Sequence, residues 1–526
     1  MRDHVIAVDV GTGSARAGIV DRNGTLLVRC DEPIVLRRPS DDRGEHASQD
    51  VWRACCTVVR AALAETGLGS HRIAAIGFDA TCSLVLLDQK GQPLALCQED
   101  GLAFDTIAWL DHRAVDEADE CTRTGHPALN HGGQIMSPEM QLPKLMWLKR
   151  NRPELWARSG LFLDLADYLT YKATGVPNRS RCTLSAKWNF QSHQDGGWPQ
   201  DFLARIGLDD MRARGGLPQE TVPVGAPIAA LSSEAAQALG LDTEVVVAAG
   251  MVDAYAGALG VLGGVAGDPQ TLHQQIALIG GTSSCVIGFS AAPHFGKSLW
   301  GPYFETVFAG EWLVETGQSA TGGLLNHLLR WLSEGGEPTP ERHQQVIARI
   351  QHLLAEQGPE FANSINVLPD FHGNRSPFGD STLTGAITGL TLDHSFDGLC
   401  RIYWRACVAI ALGLRQLLET MTAHGFTPGR LHLTGGHVKN PLLVGLYADV
   451  TGCDIVVPRT KDAVLLGTAM NAAAASGLHT SLTAAGAAMA SASDIRPPNP
   501  AHQAPYARDY QKFLALQRHR AELNAL

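Results

Sequence analysis

A chain of 526 residues exceeds what one hydrophobic core usually organises, so we expect it to divide into domains of about 100–250 residues. Apolar residues make up 45% of the chain and charged residues 18%, which supports a large core and argues against disorder. A net charge of −11 without a basic run excludes the electrostatic surface that nucleic-acid binding needs.

The cysteines and the most apolar stretch indicate the cellular compartment. The 11 cysteines are scattered and form no CxxC pair, which favours free thiols in a reducing compartment. No signal-peptide pattern precedes the first strand. Residues 245–266 are the most apolar, but they are rich in glycine and include Asp253, whose charge would be costly in lipid. We therefore expect a cytoplasmic protein without a membrane-spanning segment.

The N-terminal region alternates between strand and helix patterns. Apolar runs predict strands, Asn23-Gly24 predicts a two-residue hairpin turn, and an apolar stripe of helical period ends at Gly67. The predicted strands are residues 5–8, 15–20, 25–28, 73–78 and 84–87, and the predicted helix is residues 50–65.

The same order of elements returns in the second half of the chain. Its predicted strands are residues 277–279, 285–289, 303–308, 312–315, 431–434 and 454–457, and its predicted helices are residues 321–332, 399–420, 441–451 and 464–475. A Gly-rich turn occupies the same point in both orders, at residues 11–14 and 281–284. We therefore predict an α/β protein with two ribonuclease-H-like, actin-like ATPase domains around a central cleft, residues 1–258 and 259–526.

Both Gly-rich turns are candidate phosphate sites. Asp9 ends the first strand just before one turn, and such a carboxylate beside outward-pointing N–H groups can hold a metal ion and phosphate oxygens. Residues 280–283 combine two glycines, which permit close approach of an anion, with hydroxyl donors. An ordinary hairpin is the alternative for each turn. Neither GxGxxG nor GxxxxGK[ST] is present, and Arg16 stands where the third Gly of the former would be.

Two further segments could carry chemistry. The glycines of residues 434–440 join a strand to a helix and would let a planar base lie against the backbone, although a tight connection explains them equally well. Asp253 lies among small apolar residues. It is either a structural hydrogen-bond acceptor at a helix start or a catalytic base. The histidines show no metal-ligand spacing, and the lack of GxSxG disfavours a hydrolase triad.

Taken in order, these segments resemble the FGGY family of carbohydrate kinases over nearly the whole chain. Residues 9–14 are similar to its first phosphate motif, residues 280–283 to its second and residues 435–440 to its adenosine motif. Residues 144–151 match the core of one family signature, although Gln141 departs from the Ser, Thr or Pro expected upstream.

The resemblance implies a phosphotransferase with an alcohol group as acceptor, using ATP and Mg²⁺ and closing two domains over a small sugar. The N-terminal domain would bind the sugar and the C-terminal domain the nucleotide. Asp253 falls at the position of the family's catalytic base, and Asp9 and Asp253 fall at the positions of its metal-binding carboxylates. The residues expected to contact ATP are Gly11, Thr12, Gly13, Ser14, Gly281, Thr282, Ser283, Gly435, Gly436 and Asn440.

Within the family, residues 77–85 and 109–114 look like those of the D-ribulokinase branch. The residues expected to contact the sugar are Thr81, Cys82, Ser83, Asp111, Lys187, Asp253 and Glu315. We therefore predict phosphorylation of a pentulose, D-ribulose to D-ribulose 5-phosphate.

Other activities remain open on the sequence alone. A kinase of the same family could act on L-ribulose, xylulose, ribitol or glycerol. A non-catalytic actin-like sensor of sugar or nucleotide would not need Asp253 together with both turns, and an actin-like assembly ATPase would not need residues 144–147. A homodimer is the default expectation for a soluble enzyme.

Overall fold

The computed structural model describes residues 2–526 and shows two α/β lobes, each built on a seven-stranded sheet. We call residues 2–252 the N-terminal lobe and residues 275–526 the C-terminal lobe. The strands of the N-terminal lobe are β1 (His4–Val10), β2 (Ser14–Asp21), β3 (Leu26–Pro33), β4 (Glu45–His46), β5 (Ile73–Ala80), β6 (Leu84–Asp88), β7 (Cys97–Glu99), β8 (Leu102–Phe104), β9 (Thr106–Ile107), β10 (Ser159–Asp164), β11 (Pro227–Ala230), β12 (Val246–Ala248) and β13 (Met251–Val252).

Helices surround this sheet, and the last of them leaves the lobe. They are α1 (Ser48–Thr66), α2 (Val115–Arg123), α3 (Gln141–Asn151), α4 (Pro153–Arg158), α5 (Leu165–Thr174), α6 (Arg181–Lys187), α7 (Gln200–Arg205), α8 (Met211–Arg214), α9 (Ser233–Leu239) and α10 (Asp253–Leu262).

The C-terminal lobe repeats the arrangement with larger helices. The short helix α11 (Pro269–Leu272) precedes it in the chain, and its own helices are α12 (Gly322–Trp331), α13 (Pro340–Gln357), α14 (Phe396–Ala423), α15 (Pro441–Thr451), α16 (Ala463–Ala475), α17 (Leu482–Met489) and α18 (Pro500–Asn524). Its strands are β14 (Gln275–Gly280), β15 (Ser284–Ser290), β16 (Trp300–Phe304), β17 (Trp312–Gln318), β18 (Asn366–Leu368), β19 (Ala386–Thr388), β20 (Arg430–Gly435), β21 (Asp454–Pro458) and β22 (Ser493–Arg496).

The two main sheets share one topology around their central strands. In the N-terminal lobe β1 pairs antiparallel with β2 and parallel with β5, and in the C-terminal lobe β14 pairs antiparallel with β15 and parallel with β20. The two Gly-rich turns therefore connect corresponding strands, at the carboxyl ends of β1 and β14. Ligands of open α/β sheets bind at such strand ends.

Helices α10 and α16 cross at the junction of the lobes, and the crossing is close because glycines face each other there. A Cβ at Gly260 would lie 1.9 Å from the carbonyl oxygen of Ala463, and one at Gly467 would lie 1.9 Å from that of Ala256. Helix α16 also packs on β1 and β5. The predicted boundary after residue 258 falls inside α10 and remains a prediction.

The structure departs from the predicted elements in three places. Predicted strand 84–87 forms as β6 but joins a separate four-stranded sheet with β4, β9 and β10. Predicted strand 303–308 ends at Phe304, because Glu305 takes a positive φ of 51° and the chain turns. Predicted helix 399–420 extends to the 28 residues of α14.

Helix α14 is long and apolar enough to cross a membrane by length and composition alone. However, 67% of its apolar window is buried inside the structure, where it packs against α13 and α15. A mostly buried apolar helix is typical of the core of a large domain, which accounts for this one.

Candidate active site

A cavity of about 360 Å³ lies between the lobes, bounded by both Gly-rich turns and by the strand ends beside them. Its wall includes four carboxylates and three cationic side chains: Asp9, Glu139, Asp253, Glu315, Arg16, Lys187 and Arg375. This volume lies within the range of small-molecule sites. The site therefore combines a ligand-sized space with a dense set of charges.

Three aspartates come from neighbouring strand ends of the N-terminal lobe. Asp9 on β1 pairs in register with Asp79 on β5, and β13, which pairs with the end of β5, leads directly into Asp253 at the start of α10. Burial, with Asp9 nearby, raises the pKa of Asp79 well above its usual range, and Thr468 Oγ1 donates a hydrogen bond of 2.5 Å to its Oδ2. Asp79 is thus a buried support behind the two carboxylates that face the cavity.

Asp253 faces the cavity, and its surroundings disfavour the ionised form. Its Oδ1 accepts a hydrogen bond of 2.7 Å from the N–H of Ala254. Burial raises the pKa of Asp253, while Lys187 and Arg16 oppose that rise and Glu315 adds to it. A carboxylate with a raised pKa, open to a cavity, has the properties of a general base.

The carboxylate of Asp9 is one that could hold a magnesium ion. Burial raises its pKa to about 7 against the opposing charge of Arg16, whose Nη2 lies 2.6 Å from Asp9 Oδ2. Despite this contact, neither oxygen of Asp9 accepts a well-aligned hydrogen bond among residues 2–526. Those residues contain no group of three or more metal-ligating side chains. Mg²⁺ usually binds one or two carboxylates together with substrate phosphates, and Asp9 with Asp253 suits that pattern.

The two Gly-rich turns present backbone donors to the cavity. The N–H of Gly11 donates to Ser14 O at 3.0 Å, and the N–H of Gly281 donates to Ser283 O at 2.8 Å, which fixes each turn. Within the described chain the N–H groups of Thr12 and Thr282 have no acceptor. Both residues line the cavity, so their N–H groups are available to phosphate oxygens.

His437 holds the second turn in place, a role that the sequence did not indicate. Its Nε2 lies 3.0 Å from Gly281 O, and Tyr447 OH lies 2.9 Å from its Nδ1. Burial lowers the pKa of His437 to about 4, so the ring is neutral at physiological pH. Since the carbonyl can only accept, Nε2 carries the proton, and Nδ1 accepts from the tyrosine. Gly435 must be glycine beside it, because φ is 85° and a Cβ would lie 2.3 Å from Gly280 O.

One side of the cavity contains Lys187 and Glu315, two of the residues predicted to contact a sugar. Glu315 Oε2 accepts a hydrogen bond of 3.1 Å from Tyr255 OH, which fixes the carboxylate. Burial disfavours the charge of Lys187, yet Cys82 and Glu315 raise its pKa above the usual value. Lys187 is therefore a charged donor, and Glu315 an oriented acceptor, on one wall.

Two residues of this wall, Glu139 and Arg375, were not predicted. Arg375 Nη2 lies 3.8 Å from Glu139 Oε1, so the pair joins the C-terminal lobe to the N-terminal lobe. Their separation in sequence explains why no local motif contains both of them. Arg16, also on the wall, was noted in the sequence only as a departure from a motif.

Most predicted site residues lie on the cavity wall, and five do not. The predicted residues on the wall are Asp9, Gly11, Thr12, Thr81, Cys82, Lys187, Asp253, Gly281, Thr282, Ser283, Glu315, Gly435 and Gly436. The predicted residues away from it are Gly13, Ser14, Ser83, Asp111 and Asn440.

Three of these five have other partners that explain their placement. The carboxylate of Asp111 is held by Arg113 and by the N–H of Gly44, at 2.7 and 2.8 Å. Ser83 Oγ accepts the N–H of Trp109 at 3.2 Å. Asn440 caps α15 by accepting the N–H of Leu442. In the structure Asp111 and Ser83 thus support neighbouring segments and Asn440 caps a helix, and their contacts with sugar and ATP remain predictions.

Comparison with known proteins agrees with this arrangement. Residues 4–260 match the model of the N-terminal domain of the FGGY family of carbohydrate kinases, and residues 276–476 match that of its C-terminal domain. An FGGY carbohydrate kinase domain-containing protein of Homo sapiens is 40% identical, over 99% of this chain and 98% of the relative. A D-ribulokinase of Saccharomyces cerevisiae is 35% identical, over 90% of this chain and 72% of the relative.

The fold is also that of known sugar kinases. The crystal structure of xylulose kinase from Rhodospirillum rubrum superposes with a TM-score of 0.81 at 24% identity, covering 99% of both chains. Together, these matches confirm the predicted family resemblance and the predicted two-domain actin-like fold.

Proposed function

Because this chain belongs to the FGGY family of carbohydrate kinases, and is thus a phosphotransferase acting on a sugar, we propose that it phosphorylates a pentulose, converting D-ribulose to D-ribulose 5-phosphate with ATP. The observation that carries this proposal is the position of Asp253, whose carboxylate faces the cavity between the two Gly-rich turns. The 35% identity to a D-ribulokinase supports the choice of sugar.

Asp253 would act as the general base. A terminal hydroxyl of the sugar would lose its proton to the carboxylate as its oxygen attacks the γ-phosphate. The raised pKa of Asp253 suits this role, because a base is most effective when its pKa approaches the working pH. The N–H of Ala254 keeps one carboxylate oxygen fixed, which leaves the other for the sugar.

The two turns would hold the transferring phosphate from opposite lobes. Phosphoryl transfer depends mainly on positioning and charge neutralisation, so the N–H groups of Thr12 and Thr282 are well suited to it. Mg²⁺, held by Asp9 and Asp253, would neutralise charge on the phosphates. Closure of the lobes about residues 250–270 would exclude water and limit hydrolysis of ATP.

The charges of the sugar wall favour a neutral polyhydroxylated substrate over an acid sugar. Lys187 and Arg375 are balanced by Glu139 and Glu315. A sugar carboxylate would have to displace one of these acids or face repulsion from it, whereas hydroxyl and ketone groups can pair with both signs of charge. A pentulose carries that mixture of donors and acceptors.

The proposal also covers the cellular location and the oligomeric state of the enzyme. The 11 cysteines are all free, as is usual in a reducing cytoplasm. We propose a cytoplasmic enzyme that acts on free sugar and ATP, without nucleic acid or membrane. A homodimer remains a prediction to be tested by light scattering.

A substrate panel tests the proposed function. ATP consumption is measured with D-ribulose, L-ribulose, D-xylulose, L-xylulose, ribitol and glycerol, and the phosphate position of the product is determined by NMR. Stimulation by D-ribulose above the others, with phosphate at carbon 5, supports the proposal. If another compound of the panel stimulates ATP consumption more strongly, that compound replaces D-ribulose as the proposed substrate. Consumption of ATP that does not depend on sugar would indicate an ATPase.

A further inference from the structure

Arg16 lies beside Asp9 because the two residues are direct partners on neighbouring strands. Asp9 on β1 faces Arg16 on β2 in the antiparallel register, and Arg16 in turn faces Asp31 on β3. Residues directly opposite each other on antiparallel strands place their side chains on the same face of the sheet. Arg16 is therefore held between two acids, and it also lines the cavity.

The guanidinium of Arg16 balances the charge of Asp9 without being locked to it. Its Nη2 lies 2.6 Å from Asp9 Oδ2, but this contact is not aligned as a hydrogen bond. The buried Nε of Arg16 has no hydrogen-bond partner among residues 2–526, and 28% of the side chain remains exposed. A guanidinium with unused donors beside a cavity can turn without breaking a well-formed network.

An acid of the other lobe lies close to the same guanidinium. Asp462 Oδ2 lies 3.8 Å from Arg16 Nη1 and 3.7 Å from Arg29 Nε. Asp462 directly precedes α16, which packs on β1 and β2. A shift of about 1 Å would bring Arg16 to the distance of a charge-assisted hydrogen bond with Asp462. The pair joins the C-terminal lobe to the N-terminal lobe.

The position of the Asp462 carboxylate does not depend on Arg16. Its Oδ1 accepts the N–H groups of Val464 and Leu465, at 3.1 and 3.2 Å, and so caps α16. Its Oδ2 is thereby directed toward Arg16 and Arg29, and only 8% of the side chain is exposed. A fixed and mostly buried carboxylate is a strong acceptor for a guanidinium.

Asp31 is a weaker acceptor for Arg16, although it is the cross-strand partner. Its side chain is 48% exposed, and its Oδ1 accepts a hydrogen bond of 2.8 Å from Arg29 Nη2. Exposed ion pairs contribute little because water and salt screen them. Asp462 is therefore the better partner for Arg16 away from Asp9.

We propose that Asp462 is a positioning residue that receives Arg16 when Mg²⁺ is bound at Asp9. This inference rests on the proposed function, in which Asp9 holds the metal. The guanidinium of Arg16 and a divalent cation on the same carboxylate repel each other, so Arg16 leaves Asp9 as the metal binds. Because Arg16 then pairs with Asp462, its departure from Asp9 does not leave a buried charge without a partner.

The test measures how strongly Mg²⁺ increases the affinity for ADP in D462N, by calorimetry and without sugar. Asparagine keeps an acceptor that caps α16 but loses the charge that would hold Arg16. We expect the Mg²⁺ concentration for half of the increase to rise by about 10-fold, the effect of losing one hydrogen bond between charged groups. The Kd for ADP in EDTA is expected to stay constant, because Asp462 does not line the cavity.

D31N is the matched control, because it also removes one acid beside Arg29 and opposite Arg16. We expect it to change the Mg²⁺ requirement by less than about 2-fold, since the acid is exposed. A larger change in D31N than in D462N would make Asp31 the acceptor. No change in D462N would show that Arg16 does not pass to Asp462, and either result overturns the inference.

A double-mutant cycle separates pairing with Arg16 from the general field of one negative charge. In the R16Q background, D462N is expected to change the Mg²⁺ requirement by less than about 2-fold, because no guanidinium is left to receive. An undiminished effect in that background would show that Asp462 acts through its field and not through Arg16. If R16Q does not fold, the comparison of D462N with D31N decides alone.

D9N separates this inference from the proposed function. If Mg²⁺ increases the affinity for ADP equally in D9N and in wild type, Asp9 does not hold the metal, and that part of the proposed function fails together with the inference. If the increase is lost in D9N but unaltered in D462N, the proposed function stands and the inference alone fails. The measurement contains no sugar, so it does not depend on which sugar the substrate panel identifies.

Discussion

The two Gly-rich turns have similar sequences and follow corresponding strands, yet acidic residues precede only the first. In the N-terminal lobe the paired residues before the turn are Asp9 and Asp79, and in the C-terminal lobe the corresponding pair is Ile279 and Thr434. The second turn is instead fixed by a neutral imidazole, that of His437. Under the proposed function both turns would hold phosphate, and the N-terminal lobe would add the carboxylates.

The same contrast extends to other buried acids. In the N-terminal lobe burial raises the pKa of Asp105 and Asp167 to about 6, and that of Asp164 to about 8. In the C-terminal lobe buried acids have cationic partners, such as Arg405 with Asp509 at 2.6 Å. These three acids of the N-terminal lobe thus ionise reluctantly, in contrast to Asp509 and to Asp111 of their own lobe, which Arg113 pairs.

The largest effect is expected from D253N, which tests whether the N-terminal lobe supplies the base. The amide keeps the hydrogen bond from the N–H of Ala254 but cannot take a proton at neutral pH. We expect kcat to fall by about 10²–10⁴-fold with little change in ADP affinity or Tm. Turnover close to that of wild type would remove Asp253 from this role and end the division between the lobes.

The next effect is expected from G281A, which tests the uncharged turn. A Cβ at Gly281 would lie 3.7 Å from Ser283 O, so the protein accommodates it, but the methyl group would stand at the cavity wall. We expect kcat/KM for ATP to fall by about 10–100-fold through displaced phosphates. G13A is the matched control, because nothing lies within 4 Å of that Cβ and Gly13 is off the wall. Equal losses in both variants would place Gly13 in contact with ATP after all.

These two cases also show what the sequence could predict. Asp9 and Gly281 were predicted because a strand end followed by a Gly-rich turn is a local pattern, and Asp253 was predicted from the family resemblance; their roles remain predictions. The two-lobe fold followed from the repetition of that local order, and it is confirmed.

Contacts formed on folding explain the residues that the sequence analysis missed and those that lie off the cavity wall. Glu139 and Arg375 meet only after both lobes have folded. Asp111 matched a sugar-binding segment, but Arg113, two residues further along, occupies its carboxylate. The strand from Leu84 was recognised, whereas its membership of a second sheet depends on pairing with β10 and β9.

A smaller effect is expected from Y447F, which tests how the neutral turn is held. Removing the hydroxyl leaves His437 Nδ1 without its donor and loosens the ring that holds Gly281 O. Loss of one such hydrogen bond is worth about 1 kcal/mol, which corresponds to about a 5-fold rise in KM for ATP. The KM for the sugar is expected to stay constant. A change in the sugar KM of the same size would mean that the substitution disturbs the whole cleft.

The last prediction concerns stability and not activity: the pH dependence of Tm compares the buried acids of the two lobes. Burial raises the pKa of folded Asp164 to about 8, above the value of an unfolded aspartate, so the folded state binds the extra proton between these values. The stability that this proton supports is full at low pH and is lost as the pH rises toward 8. The Tm of D164N should therefore fall less than that of wild type between pH 5 and about 9. At the alkaline end of this range the Tm of D164N should exceed that of wild type. D509N is expected to act in the opposite direction at every pH, because it leaves the buried Arg405 unpaired. Parallel Tm curves for D164N and wild type would show that Asp164 is already ionised in the folded protein, and that the two lobes treat their buried acids alike.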